Sequence, residues 1–126
     1  MRFNLYTLRA VLTIAAFGCV AHLATTARAM NVYNDTALQA QLPVSFVCGL
    51  FCGNDWMISA GDMRSRPNTS GYIFASAPSY GGTYGCSVDV DKHGWVTATG
   101  SDERSILLTS YHQDGSVRTT CTFGPD

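Results

Sequence analysis

Two histidines and their neighbouring aspartates are the residues best suited to acid–base chemistry. His93 stands two residues after Asp91, and His112 stands two residues before Asp114. A histidine oriented by a carboxylate can move a proton near neutral pH, which would suit a small secreted hydrolase or effector enzyme. The chain has no G-x-S-x-G and no H-E-x-x-H motif. We therefore predict no catalytic residue, and we interpret His93 as a turn residue and His112 as a half-buried residue at a sheet edge.

The segment Asp89–Gly94 matches half of a calcium-binding loop. Its two aspartates and its glycine occupy positions of the pattern D-x-D-x-[DN]-G, but His93 stands at the fifth position. Calcium also requires a bidentate carboxylate at the twelfth position, where this chain has Gly100. We therefore predict a solvated turn here, with no metal and no cofactor.

A loop rich in tyrosine, serine and glycine is the strongest candidate for binding. Tyr80 and Tyr84 lie within residues 76–85, and Tyr72 precedes them. Tyrosine offers a large contact area with few torsions, and serine and glycine let a loop adapt to its ligand. A tight turn at Gly81-Gly82 would present both loop tyrosines outward. The alternative is a connector whose tyrosines pack on the edge of the fold.

Arg64 and Arg66 form a small basic spot on an otherwise acidic protein. An arginine pair can bind a carboxylate by charge-assisted hydrogen bonds. The alternative is that both arginines belong to a solvated edge strand.

The first 29 residues read as a cleavable export signal, with cleavage before Met30. Arg2 and Arg9 precede an apolar stretch that is too short for a membrane span, and Ala27-Arg28-Ala29 has the small residues of a cleavage site. An uncleaved anchor and a lipoprotein cut before Cys19 are the alternatives. The prediction is a secreted or periplasmic protein with no stable membrane insertion after cleavage.

Removal of the signal leaves one domain, residues 30–126, with five basic and nine acidic side chains and a formal charge of −4. This charge disfavours binding to nucleic acid or to an anionic membrane surface, because both would repel the protein.

Four cysteines remain in that domain, and an even number in an exported chain predicts disulfides. They are Cys48, Cys52, Cys86 and Cys121. We prefer the pair Cys86–Cys121, since both residues fall on core-facing positions of neighbouring hairpins, and this leaves Cys48 to pair with Cys52. The two other connectivities, 48–86 with 52–121 and 48–121 with 52–86, stay open.

The composition predicts an all-β domain, a small antiparallel sandwich or partly open barrel of seven or eight strands. One hairpin is expected at residues 86–99, with Val90 opposite Trp95. A second is expected around Asp114-Gly115, with His112 opposite Val117. Further along, its register sets Leu108 opposite Cys121 and Ile106 opposite Phe123.

The function expected from these features is recognition of a protein or glycan through the loop at 76–85. The small hydrolase described above and a structural component of a cell envelope or surface are the alternatives. Asn34 and Asn68 also begin glycosylation sequons, which matter only in a cell with an endoplasmic reticulum.

Overall fold

The computed structural model describes residues 29–50, 52–67 and 69–125, and this part of the chain is almost entirely β-structure. The predicted export signal lies outside the described residues, except that Ala29 begins the first strand. The strands are β1 (Ala29–Thr36), β2 (Leu42–Val47), β3 (Gly53–Ile58), β4 (Met63–Pro67), β5 (Gly71–Ser76), β6 (Gly85–Val90), β7 (Trp95–Gly100), β8 (Ile106–Tyr111) and β9 (Val117–Phe123). A short 3-10 turn covers Pro78–Tyr80. The described residues include no helix that could span a membrane.

The strands form two facing sheets, which confirms the predicted sandwich. A five-stranded sheet has the order β4-β1-β7-β8-β9, and a four-stranded sheet has the order β3-β2-β5-β6. All neighbouring strands are antiparallel except β1 and β7, which run parallel. Nine strands are described where the sequence suggested seven or eight.

The predicted hairpin between β6 and β7 is wrong. Gly94 closes a turn on Asp91 as expected, but β6 pairs with β5 in one sheet and β7 pairs with β1 and β8 in the other. Val90 and Val96 are both buried, on strands that belong to opposite sheets. Turn chemistry shows where the chain reverses, but the pairing is decided by which apolar faces meet across the core.

The second hairpin has the predicted register over most of its length. Leu108 lies opposite Cys121 and Ile106 opposite Phe123. Near the turn, however, Tyr111 takes the place opposite Val117 that the sequence assigned to His112. The shift is a β-bulge, in which Arg118 is the extra residue between the two partners of Tyr111 and Ser110.

The core lies between the sheets and is formed by the inward positions of the strands. It consists of Met30, Val32, Leu38, Leu42, Val44, Phe46, Ile58, Ile73, Ala75, Ala77, Val88, Val90, Val96, Ala98, Ile106, Leu108 and Phe123. Burial of this apolar surface is the main stabilising term of the fold.

The four cysteines of the domain form two disulfides. Cys86–Cys121 joins β6 to β9, at the edges of the two sheets, with 6.2 Å between the Cα atoms. Cys48–Cys52 closes the loop between β2 and β3, with 5.2 Å between the Cα atoms. The preferred connectivity is therefore confirmed. Two disulfides are compatible with an extracellular protein, since such bonds persist in oxidising compartments.

Candidate functional site

The outer face of the four-stranded sheet carries exposed apolar and aromatic side chains. We call this surface the aromatic face: Val47, Met57, Tyr72 and Phe74. Tyr72 is 55% exposed and Phe74 is 37% exposed, while Ile73 between them is fully buried. This alternation follows from the pleat of β5, which sends successive side chains to opposite sides of the sheet. The result is a pair of aromatic rings at alternate positions on one strand.

Strand register sets these rings within two rows that also contain polar groups. One row runs from Val47 through Tyr72 to Asp89. The next row runs from Asp55 through Ser45 and Phe74 to Ser87. Side chains directly opposite each other on neighbouring strands have Cβ atoms about 4.5–5.5 Å apart, so each ring lies beside a hydroxyl or carboxylate group.

A shallow depression of about 260 Å³ adjoins the second row. Its lining residues are Pro43, Val44, Ser45, Asp55, Trp56 and Met57. On its polar side, the Ser45 hydroxyl donates a hydrogen bond of 2.7 Å to Asp55 Oδ1. Because Ser45 also lies opposite Phe74, the depression and the aromatic face form one continuous surface.

Arg118 fixes the acidic end of the first row. Its Nε lies 2.8 Å from Asp91 Oδ1, and one terminal nitrogen lies 3.2 Å from Asp89 Oδ2. The β-bulge in β9 places Arg118 where it can bridge to the neighbouring sheet edge, as bulges do when they redirect a side chain. The Asp89 carboxylate beside Tyr72 is therefore held in position by an ion pair.

The structure brings Asp91, His93, His112 and Asp114 together at one end of the sandwich. His112 Nδ1 lies 2.5 Å from Asp91 Oδ2. An open concavity of about 420 Å³ is lined by Asp91, Lys92, His93, His112, Gln113 and Asp114. Asp91 thus contacts both His112 and Arg118, which links the two turns at this end. No group of metal-binding side chains occurs in the described part of the chain.

Asp114 has a local role in the turn that the sequence predicted. Its Oδ1 accepts hydrogen bonds from the Ser116 hydroxyl at 2.6 Å and from the Ser116 amide at 2.9 Å. These two bonds, the hydroxyl first, lower the pKa of the Asp114 carboxyl below its usual value. The carboxylate therefore stabilises the turn.

The loop at residues 76–85 is anchored by hydrogen bonds, and it exposes one of its two tyrosine rings to solvent. The Ser79 amide and hydroxyl donate to the Glu103 carboxylate at 2.7 and 2.6 Å. Gly81 and Gly82 both have positive φ, and the Thr83 amide donates to the Tyr80 carbonyl, so the predicted tight turn is present.

The two tyrosines of this loop have different environments. Tyr80 is 41% exposed, whereas Tyr84 packs against the core. Their rings meet edge to face with centroids 5.2 Å apart. The expectation that both rings point outward therefore applies to Tyr80 alone, because Tyr84 sits at an inward position just before β6. The Phe74 ring lies against Gly85, the residue after Tyr84, so the C-terminal end of the loop borders the aromatic face.

Arg64 and Arg66 both contact the opposite sheet edge. Arg64 donates to the carbonyls of Met63 and Met57, and Arg66 donates to Gly53 O, Asn54 Oδ1 and the Cys52 sulfur. These contacts tie β4 to β3 across the sandwich. The two side chains therefore act as a link between the sheets.

Phe74, Asp89 and Arg118 are site residues that sequence reasoning missed. Tyr72-Ile73-Phe74-Ala75 is a continuous apolar run, which does not by itself show which residues face solvent. The pairing of Asp89 with Arg118 depends on a bulge and on contact between two sheets, and neither has a signal in the sequence.

Comparison of the chain with protein-family models, with curated proteins and with solved structures gave no match.

Proposed function

We propose that the protein is a non-catalytic recognition module that acts outside the cytoplasm, secreted or periplasmic, and binds a glycan through the aromatic face. The observation that carries this proposal is the pattern of the two rows. Tyr72 lies beside Asp89 in the first row, and Phe74 lies between Ser45 and Ser87 in the second. A sugar ring has an apolar face of C–H groups and an equatorial rim of hydroxyls. Aromatic rings pack against the former, and carboxylate and hydroxyl groups hydrogen-bond the latter.

The shape of the surface supports a chain-like ligand. The depression beside Ser45 and Asp55 is shallow, and the aromatic face is a sheet surface without an enclosing wall. Small molecules are usually held in clefts that bury most of their surface, whereas this face contacts a ligand from one side only. An oligosaccharide can lie across several strands and add up contacts that are individually weak.

The chemistry of the surface also favours a glycan over a protein partner. A protein interface has a fully desolvated core depleted of charged residues. Here Asp55 and the ion-paired Asp89 stand in the same rows as the rings, so each of the two rings has a carboxylate or hydroxyl neighbour. This fine mixture matches a ligand whose own surface alternates between C–H and O–H groups.

A binding screen with immobilised polysaccharides tests the proposal. The wild-type protein should be retained by at least one polysaccharide, and Tyr72→Ala with Phe74→Ala should abolish the retention. The matched control is Leu107→Ala, since Leu107 is 39% exposed on the outer face of the other sheet. Retention that survives in the double variant, or that is lost equally in the control, would contradict the assignment.

A second candidate is a hydrolase that uses His112. It is favoured by the 2.5 Å contact between His112 Nδ1 and Asp91, which orients the ring with Nε2 as its second proton-exchanging atom. Assay of reducing-end release from polysaccharides distinguishes the two functions. If the protein is a hydrolase, the wild type and Gln113→Ala should release reducing ends and His112→Gln should not. If it is a recognition module, none of the three proteins should release them.

A further inference from the structure

The Cys48–Cys52 bridge lies in an exposed loop beside a cation. It spans a sequence separation of only four residues between β2 and β3. Leu50 in this loop is 96% exposed, and both cysteines are half-buried at the rim of the core. The loop that contains the bridge is therefore accessible to a thiol in solution.

Arg66 makes the two ends of the bridge unequal. Its Nη2 donates to the Cys52 sulfur at 3.2 Å. The guanidinium is held there by Gly53 O and Asn54 Oδ1, and it lies over the Phe46 ring at 5.6 Å from the centroid. A positive charge next to a sulfur stabilises its thiolate form and lowers the pKa of that thiol. Cys52 is thus the better leaving group of the pair.

We propose that Cys48–Cys52 is a site of thiol–disulfide exchange with low-molecular-weight thiols, and that Cys48 is the sulfur attacked. The thiolate of the small molecule attacks Cys48 Sγ, and a new S–S bond forms between them. The Cys48–Cys52 bond breaks, and its electron pair leaves on Cys52 Sγ as a thiolate beside Arg66. In this step Cys52 Sγ is reduced to a thiolate and the sulfur of the small thiol is oxidised to the disulfide level. A second molecule of the small thiol, as its thiolate, then attacks the small-molecule sulfur of the mixed disulfide, releases Cys48 as a thiolate and forms the small-molecule disulfide, which completes the two-electron reduction of the bridge.

The second bridge provides an internal comparison. All four cysteines are half-buried and pack against the core, but Cys86–Cys121 joins the edges of the two sheets and closes a loop with a sequence separation of 35 residues. Its reduction would release the constraint on the whole β6–β9 edge. Opening of Cys48–Cys52 frees only the short loop that carries Leu50, so the exchange leaves the sandwich in place.

Exchange with reduced glutathione as the probe tests the proposal. The native protein is incubated with it, quenched with acid and mapped by mass spectrometry without reduction. Cys48–Cys52 should open at least tenfold faster than Cys86–Cys121, and the glutathione adduct should form on Cys48. Arg66→Gln should slow the opening by threefold or more. Arg64→Gln is the matched control, because Arg64 lies on the same strand and contacts the Met63 and Met57 carbonyls.

Equal opening rates for the two bridges, or an adduct mainly on Cys52, would overturn the proposal. So would an Arg66→Gln protein that opens as fast as the wild type. If Arg66→Gln does not fold, Cys48→Ser gives a second test, since it leaves Cys52 as a free thiol beside Arg66. The pH profile of its alkylation should have a midpoint below the usual thiol value of about 8.5, and a midpoint at or above that value would refute the inference.

Discussion

Tyr72 and Asp89 lie directly opposite each other on β5 and β6, and Arg118 holds the Asp89 carboxylate from the neighbouring sheet at 3.2 Å. An exposed aromatic ring thus stands beside an acceptor whose position is fixed by an ion pair. A ligand that packs on the ring meets this acceptor without having to order it, which lowers the entropic cost of binding.

The Cys86–Cys121 disulfide is predicted to contribute more to stability than Cys48–Cys52. Its loop has a sequence separation of 35 residues against four. In the chain-entropy model, replacement of Cys86 and Cys121 by alanine should cost about 4 kcal/mol, and the same replacement of Cys48 and Cys52 about 2 kcal/mol. Urea unfolding of the two double variants measures the difference. Equal losses would show that the entropic account does not hold for this fold.

Asn34 is predicted to be a major stabilising polar residue. It is fully buried, and its side chain donates to Ile58 O and accepts from the Thr36 amide and hydroxyl. Asn34→Ala leaves these groups without partners and should cost about 2–3 kcal/mol. Asp35→Ala, at the next and exposed position, should change the unfolding free energy by less than about 0.5 kcal/mol.

The same burial applies to one of the two glycosylation sequons. The folded chain does not expose Asn34 for glycosylation, whereas Asn68 lies outside the described residues. Thermal unfolding of Asn34→Ala and of its control Asp35→Ala checks the predicted stabilising role of Asn34. Similar melting temperatures for both variants would contradict the structural role of Asn34.

The two loop tyrosines are predicted to contribute differently to the free energy of unfolding. Tyr84→Ala removes a ring that packs against the core and should cost about 2 kcal/mol of unfolding free energy. Tyr80→Ala removes a 41% exposed ring and should cost less than about 1 kcal/mol. Denaturant titration of the single variants measures both values. A larger loss for Tyr80 than for Tyr84 would mean that the loop packs differently.

Much of this fold could be predicted from local patterns. The register around Asp114-Gly115 placed Leu108 opposite Cys121, and this put Cys121 on the core side, where it meets Cys86. Alternation along the two strands makes one face of this hairpin apolar. A register slip of one residue would expose that apolar face to solvent, so the alternation fixes the register. The preferred disulfide is inferred from that register together with the expected hairpin at residues 86–99. The disulfide is confirmed although that hairpin is wrong, because Val88 and Cys86 keep their inward direction on β6.

The rest depends on contacts between distant parts of the chain. Asp91-Lys92-His93-Gly94 has the chemistry of a hairpin turn, yet it carries the chain from one sheet to the other. The bulge at Arg118 and its ion pairs arise from packing of β9 against β6. Of the aromatic face, the sequence singled out Tyr72, as a neighbour of the loop at residues 76–85. It did not identify Phe74 or Asp89, whose exposure follows from the pairing of β5 with β6.

An NMR titration of the isotope-labelled protein with the oligosaccharide selected by the polysaccharide screen tests the central claim most directly. We expect the largest chemical-shift changes at Tyr72, Phe74 and Ser45, with smaller changes at Asp89, since these residues share the two rows of the aromatic face. Changes concentrated instead at residues 91–94 and 112–114, with the aromatic face unaffected, would contradict it and favour the site around His112.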